Sequence, residues 1–259
     1  MPHQDFDKFR ANKALGQHFL VSQKAIRTIA EAIPVGETAI EIGPGPGAIT
    51  TSVLERVKHL TIIEKDDRFA EFWQGKTSEH LNLSVAHGDV MELLDDVVAQ
   101  DKPQWIVGNL PYNISGPLTA LLASFSLSGG MVLMYQREVG QRIVAEPGSK
   151  AYGGLSVLVR HFYHPKKLIT LPPGAFNPPP KVHSVVIQLL PHGKAPKCVY
   201  DDLQKTVRQG FAHRRKTIYN QFRGQLTQED YLSIGIDPKK RPEQLTYDDW
   251  ASITLLLNQ

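Results

Sequence analysis

Short apolar runs rich in β-branched residues recur along the first two thirds of the chain: TAIEI at 38–42, LTII at 60–63, LSVA at 83–86, WIV at 105–107 and MVLMY at 131–135. Between them lie stretches such as AITTSVLERV (48–57) and GPLTALLASF (116–125), where apolar positions return every three or four residues. The first period predicts strands and the second helices. Their alternation predicts βαβ units and a parallel sheet covered on both faces. Ligands of such sheets sit beyond the carboxyl ends of the strands, so the loops leaving these strands are where chemistry is expected. A proline-rich stretch, LPPGAFNPPPKVHS (171–184), leads into VVIQLL (185–190), the last strand expected. From residue 199 onward the pattern turns helical, with VYDDLQKTVRQGFA, then TQEDYLSIG behind a capping Thr227, then LTYDDWASITLLLN behind a capping Thr246. The organisation expected is a doubly wound, Rossmann-like α/β domain over residues 1–192, opening on a basic segment at 1–30, and a small all-α domain over 193–259.

Composition narrows the class. With 41% hydrophobic and 21% charged residues, the 259-residue chain has the make-up of an ordinary globular protein and not of a disordered one. The first residues lack the apolar run of a signal peptide, and no stretch approaches the ~18 apolar residues of a membrane span. A soluble cytoplasmic protein, with no membrane partner, is expected. The single cysteine, Cys198, cannot form an internal disulfide or a multi-thiolate metal site, and no metal is expected. Nothing in the pattern demands more than a monomer.

The net charge of +3 hides a division: residues 31–101 hold 5 Lys/Arg against 14 Asp/Glu, whereas residues 102–259 hold 19 against 10. Such a split suggests a polyanion held by one part and a non-phosphate small molecule held by the other, unless the segments interleave in space and the charges mix.

EIGPGPGAIT (41–50) follows the first strand and opens the first helix, the position of a nucleotide-binding loop. Gly43, Gly45 and Gly47 suit a sharp turn and a close backbone approach. The G-x-G-x-x-A spacing, with Glu64 about 20 residues on, also matches the dinucleotide fingerprint, which keeps a nicotinamide-dependent oxidoreductase in view. Against it, Pro44 and Pro46 carry no N–H to offer a pyrophosphate, and Glu41 adds negative charge where phosphates would lie. A cationic, phosphate-free cofactor suits the loop better, and S-adenosylmethionine is one. Glu64 would then accept from ribose hydroxyls, and Asp89, after the third strand, would meet the adenine amino group; the alternative for Asp89 is a helix cap.

The strand WIVG runs into NLPYNIS (109–115). As a plain turn this is Asn, Pro and Ser chemistry with Tyr112 folded back onto the core. Beside a methyl donor it gains a use: Asn109 offers a side-chain carbonyl, Leu110 a backbone carbonyl, Pro111 rigidity and Tyr112 an aromatic face. Two acceptors on the N–H groups of an aromatic amine favour a more tetrahedral nitrogen and stabilise its developing positive charge. The tyrosine can stack on a base that has left its helix.

These motifs together, with ALGQHFL near the start, FNPPPKVHS and a late FAHRRKT, resemble the ribosomal RNA adenine dimethyltransferases over about residues 12–246. GSKAYGGLSV (148–157) and GIDPKKRPEQLT (235–246) resemble the small-subunit branch linked to kasugamycin sensitivity. The resemblance implies dimethylation by S-adenosylmethionine of the 6-amino groups of two adjacent adenosines, in a hairpin loop near the 3′ end of 16S ribosomal RNA, within an assembling small subunit. It implies cofactor contacts from His18, Leu20, Gly43, Gly45, Glu64, Asp89 and Asn109, and a catalytic loop of Asn109, Leu110, Pro111 and Tyr112. It also implies a second stacking face at Phe176, whose alternative is a core phenylalanine. Ser22 stands where aspartate is usual and Gly116 where threonine is common. The related 23S adenine methyltransferases of macrolide resistance share the glycine loop and a similar NLPY-type loop, and an assembly factor acting mainly by binding is a third reading.

FAHRRKTIYNQF (211–222) gathers Arg214, Arg215 and Lys216, with Arg208 and Arg223 close by. These five are expected to hold RNA phosphates, Lys8, Arg10 and Lys13 extending the surface; the alternative is a solvated helix face.

Overall fold

The structure, a computed structural model, describes residues 11–12, 16–213 and 215–258. Lys8, Arg10, Lys13 and Arg214 lie outside the described residues. In chain order the elements are β1 (Phe19–Leu20), α1 (Gln23–Glu31), β2 (Thr38–Ile42), α2 (Thr50–Leu54), β3 (His59–Glu64), α3 (Asp67–Lys76), β4 (Leu83–His87) and α4 (Val90–Asp101). There follow β5 (Trp105–Asn109), α5 (Ser115–Leu122), β6 (Gly130–Gln136), α6 (Arg137–Ile143), α7 (Gly154–Val159), β7 (Tyr163–Leu171), β8 (Phe176–Asn177) and β9 (Ser184–Pro191). The chain ends with α8 (Tyr200–Gly210), α9 (Ile218–Gln221), α10 (Gln228–Ser233) and α11 (Tyr247–Leu257). Among the described residues no helix is long and apolar enough to cross a membrane.

A seven-stranded sheet runs β4-β3-β2-β5-β6-β9-β7, and its first five strands are parallel. Successive residues of β3, from Leu60 to Glu64, are all buried, as are Trp105–Gly108 in β5. Consecutive burial requires cover on both faces, which is the doubly wound arrangement expected. The order reverses between β2 and β5, so the crevice for a ligand opens at the ends of these two strands. Gly108 sits in that gap because any Cβ there would come within 2.7 Å of the Ile42 carbonyl oxygen.

The sheet departs from the expected all-parallel form at β9, which lies antiparallel to β6. The consequence is local: an antiparallel strand starts where its parallel neighbours end, so Ser184, opposite Gln136, is delivered to the ligand edge. The edge strand β7 was not anticipated. Its sequence, YHPKKLITL, carries a proline and two lysines and is buried only at its two ends, which protects an edge but erases the apolar run that marks a strand.

The chain divides into two compact units, the first comprising Met1–Leu118, Leu127–Gly140 and Lys166–Leu190, the second Thr119–Ser126, Gln141–Pro165 and Pro191–Gln259. One crossing lies beside the boundary expected at 192, but two earlier segments also belong with the helical unit. In the first unit, α1 turns Ala25, Ile26, Ile29 and Ala30 into a core shared with Val53, Phe69 and Trp73. Each of the larger side chains, such as Ile26, Ile29 and Val53, contributes about 1.5–3 kcal/mol by leaving water. Ser22 does the work of the usual aspartate, its Oγ accepting from the Ala25 N–H at 3.4 Å as the cap of α1.

In the second unit, Trp250 of α11 is fully buried and stacks on Phe211, with ring centroids 5.1 Å apart. Gly210 allows that approach, since a Cβ there would overlap the indole. Thr227 and Thr246 both form capping boxes, with Asp230 and Asp249, as their spacing predicts.

Candidate functional site

A cavity in the first unit is walled by residues 16–20, by the loop after β2, by the ends of β3 and β4, and by residues 109–114 after β5. Of the cofactor residues expected, His18, Leu20, Gly43, Gly45, Glu64, Asp89 and Asn109 all line it, and so do Leu110, Pro111 and Tyr112. The loops after β2, β3, β4 and β5 meet here because the parallel strands bring their carboxyl ends to one edge, and the 16–20 segment joins them through the Asn109–His18 hydrogen bond, 91 residues apart in sequence.

The glycine loop is held by its own hydrogen bonds. Gly43 N–H donates to the Ile63 carbonyl at 2.9 Å, Gly45 N–H to Glu64 Oε2 at 3.0 Å and Gly47 N–H to the Pro44 carbonyl at 3.0 Å. All three glycines have positive φ, at 64°, 54° and 97°. The Trp73 indole N–H donates to the Gly45 carbonyl at 2.9 Å, and a Cβ on Gly47 would lie 2.5 Å from that ring. Gly47→Ala therefore meets both a disfavoured φ and a wall. It is expected to lower stability by about 1–3 kcal/mol, measured by urea unfolding, with Gly75→Ala, a helical site with open space around it, as the harmless comparison.

With three amides engaged and two prolines between them, the loop has no glycine N–H left for a pyrophosphate. The dinucleotide reading loses its physical basis there. What the cavity does offer is a pair of carboxyls that a cation would draw into their ionised form. Glu41 is 1% exposed and its Oε2 has no hydrogen-bond partner among the described residues. Burial pushes its pKa up to about 8, the Thr50 hydroxyl drawing it down and Glu64 adding to the rise. Glu64 is also raised, by burial first, against hydrogen bonds from the Asp66 and Gly45 amides. Buried carboxyls in want of a counter-charge fit a cationic ligand, and S-adenosylmethionine meets that requirement.

Glu64 serves the fold first, bracing the loop through Gly45 and the turn through Asp66 N–H at 2.8 Å, yet each oxygen keeps a further acceptor site for a ribose hydroxyl. Asp89 lines the cavity and also caps a helix: Oδ1 accepts from Met91 N–H at the start of α4 at 2.9 Å, while Oδ2 pairs with Lys65 Nζ at 2.6 Å. Lys65 first, and the Met91 amide next, hold its carboxyl below the usual range.

Asn109 Nδ2 donates to the His18 carbonyl at 3.0 Å, which fixes the direction of the amide. Its Oδ1 is shielded and has no hydrogen-bond partner among the described residues. A buried acceptor left in this state costs about 1–3 kcal/mol and is the group that an incoming N–H can satisfy. Tyr112 stands three residues on, its ring 5.8 Å from that of His18 with 28° between the planes, and its hydroxyl 2.6 Å from Ser184 Oγ.

The other stacking residue expected is Phe176. It is 3% exposed, pairs with Leu20 between β8 and β1, packs in the core and does not line the cavity. In this structure its ring is therefore covered, and its place as a second stacking face is carried by the motif alone. Three contributors carried no local signal and went unnoticed: Trp73, Ser184, and Gln17, which donates to Asp66 Oδ2 at 2.8 Å. Each acts through a partner distant in sequence.

The model of the family described as ribosomal RNA adenine dimethylase matches residues 8–259. The chain belongs to the ribosomal RNA adenine dimethylase family. Among family relatives, the ribosomal RNA small subunit methyltransferase A of Aromatoleum aromaticum is 41% identical over 95% of this chain and 93% of its own length. That of Coxiella burnetii is 37% identical over 97% and 99%. A solved dimethyladenosine transferase from Plasmodium falciparum superposes with a TM-score of 0.80 at 26% identity, covering 93% of this chain and 98% of that one. The 23S rRNA methyltransferase ErmE shares the fold, with a TM-score of 0.68 at 20% identity over 93% of this chain and all of its own.

In the second unit, Arg208, Arg215, Lys216 and Arg223 are exposed, and none is in an ion pair with a described residue. Gln209 and Gln221 tie their segments together, donating to the Gln221 carbonyl at 3.2 Å and the His213 carbonyl at 2.5 Å. Among the described residues no group of three or more His, Cys, Asp or Glu could hold a metal.

Proposed function

We propose that this family member dimethylates the 6-amino groups of two adjacent adenosines in the hairpin loop near the 3′ end of 16S ribosomal RNA, within an assembling small subunit. The observation that carries the reading is the unpartnered Asn109 Oδ1 beside the Tyr112 ring at the switch point of the sheet. Bound, S-adenosylmethionine supplies an activated methyl group for the amine, which gives up a proton in exchange. Around it, Glu41 and Glu64 meet positive charge, and the glycine loop admits the ligand close to the backbone. Asn109 Oδ1 and the Leu110 carbonyl accept from the amine N–H groups, localising its lone pair, while Pro111 stiffens the loop and Tyr112 offers its face to the base. Orientation and charge stabilisation need no strong general base. Arg208, Arg215, Lys216 and Arg223, with Arg214 in the same run, hold the RNA backbone.

The relatives' small-subunit names at 37–41% identity support the 16S target over the macrolide-resistance alternative, for which the likeness to ErmE speaks to the fold alone. The test is transfer from labelled S-adenosylmethionine to undermethylated small subunits and, in parallel, to naked 23S RNA, with mass spectrometry of the nucleoside. Dimethyladenosine in 16S alone is the expected result. Label confined to 23S would overturn the target, and label in neither would overturn the activity.

A further inference from the structure

We infer that Ser184 is a positioning residue for methyl transfer, its hydroxyl holding the Tyr112 ring at the angle the target base must meet. The inference rests on the activity proposed above. Tyr112 lies on a loop whose nearby restraints are on the backbone: Ile114 N–H donates to the Pro111 carbonyl at 3.2 Å and Ser115 Oγ to the Tyr112 carbonyl at 3.1 Å. Neither restrains the ring. At its far end the hydroxyl meets Ser184 Oγ at 2.6 Å, and Ser184 has no exposed surface and begins β9 in register with Gln136 of β6. The ring, stacked on His18 along its face, is thus tied to the sheet at its tip by a side-chain hydrogen bond. Burial raises the Tyr112 phenol, more than Ser184 lowers it, so the contact joins two neutral hydroxyls across the physiological range.

A ring that pivots freely presents its face at many angles, and productive stacking then becomes a fraction of encounters. Removing either hydroxyl should therefore reduce kcat while cofactor affinity stays as in the parent protein. From the worth of one buried hydrogen bond the loss is expected to be about tenfold for Ser184→Ala, and similar for Tyr112→Phe, which keeps the ring.

A double-mutant cycle on the full-length protein with undermethylated small subunits tests this. The double variant should be no slower than the worse single one, and Ser184→Thr, which restores a hydroxyl, should recover most of the rate. NMR relaxation of 13C-labelled tyrosine, recorded without RNA, should show larger-amplitude motion of the Tyr112 ring in Ser184→Ala, a readout that stands even if the RNA target is another one. Multiplicative losses in the double variant, or an unchanged ring with lost cofactor binding, would overturn the inference. If Ser184→Ala does not fold, Tyr112→Phe removes the same bond from its other end, and an unaltered kcat there would overturn it equally.

Discussion

Asn109→Ala is expected to slow methyl transfer by about 10²–10³-fold, the cost of removing one well-placed polar group from a charge-stabilising site. The side chain has two tasks in the structure. Its Nδ2 is committed to the His18 carbonyl, so only Oδ1 is available to the amine. Alanine removes that acceptor and frees the 16–20 segment on one side, while Glu41, Glu64 and the glycine loop, which line the same cavity, stay in place. Calorimetry with S-adenosylmethionine should accordingly show affinity within about threefold of the parent, and single-turnover transfer should carry the loss. Equal loss in binding and turnover would make Asn109 a cofactor ligand only. Retained particle binding and assembly function in the same variant would favour the assembly-factor reading.

The second large effect concerns pH. Glu41 has its pKa pushed up to about 8 by burial, against an ordinary value of 4.5. A raised carboxyl is protonated in the native state, so its contribution to stability is fully present below 4.5 and is lost as pH rises towards 8. A cation in the cavity favours the ionised form. Its binding below pH 8 must therefore expel a proton from Glu41, and affinity should climb by up to about tenfold per pH unit towards 8 before levelling. Calorimetry in buffers of different ionisation heat would count the proton directly. Glu41→Gln, neutral at every pH, should bind weakly with no such climb, and a climb that persisted in this variant would place the titration elsewhere.

Much of the fold was legible because its signals are local. Five parallel strands write themselves as short apolar runs, and Thr227 and Thr246 declare their helices by an acid three residues on. The edge strand β7 hid behind Pro165, Lys166 and Lys167, and β1 and β8 are two residues each, too short to carry a period. The grouping of residues 119–126 and 141–165 with the helical unit is a matter of packing partners, which no window along the chain contains.

The site divides in the same way. The glycine loop and NLPY are contiguous and were named from residue types, whereas Trp73, Gln17 and Ser184 act across 28, 49 and 72 residues and left no trace in local pattern. Phe176 was named from its motif, whereas its pairing with Leu20 between β8 and β1 is again a contact that no local window contains.

The saturated amides of residues 43–47 also govern which molecules can compete for the cavity. A nucleotide brings phosphate oxygens that must leave water, and at this loop they would find prolines, spent N–H groups and acidic neighbours in exchange. Adenosine alone could satisfy the remaining contacts, but the phosphorylated forms that dominate adenine metabolism would carry their charge into a hostile place. Selectivity here comes from refusal: the same hydrogen bonds that keep the loop in shape before any ligand arrives leave the commonest adenine compounds nothing to hold.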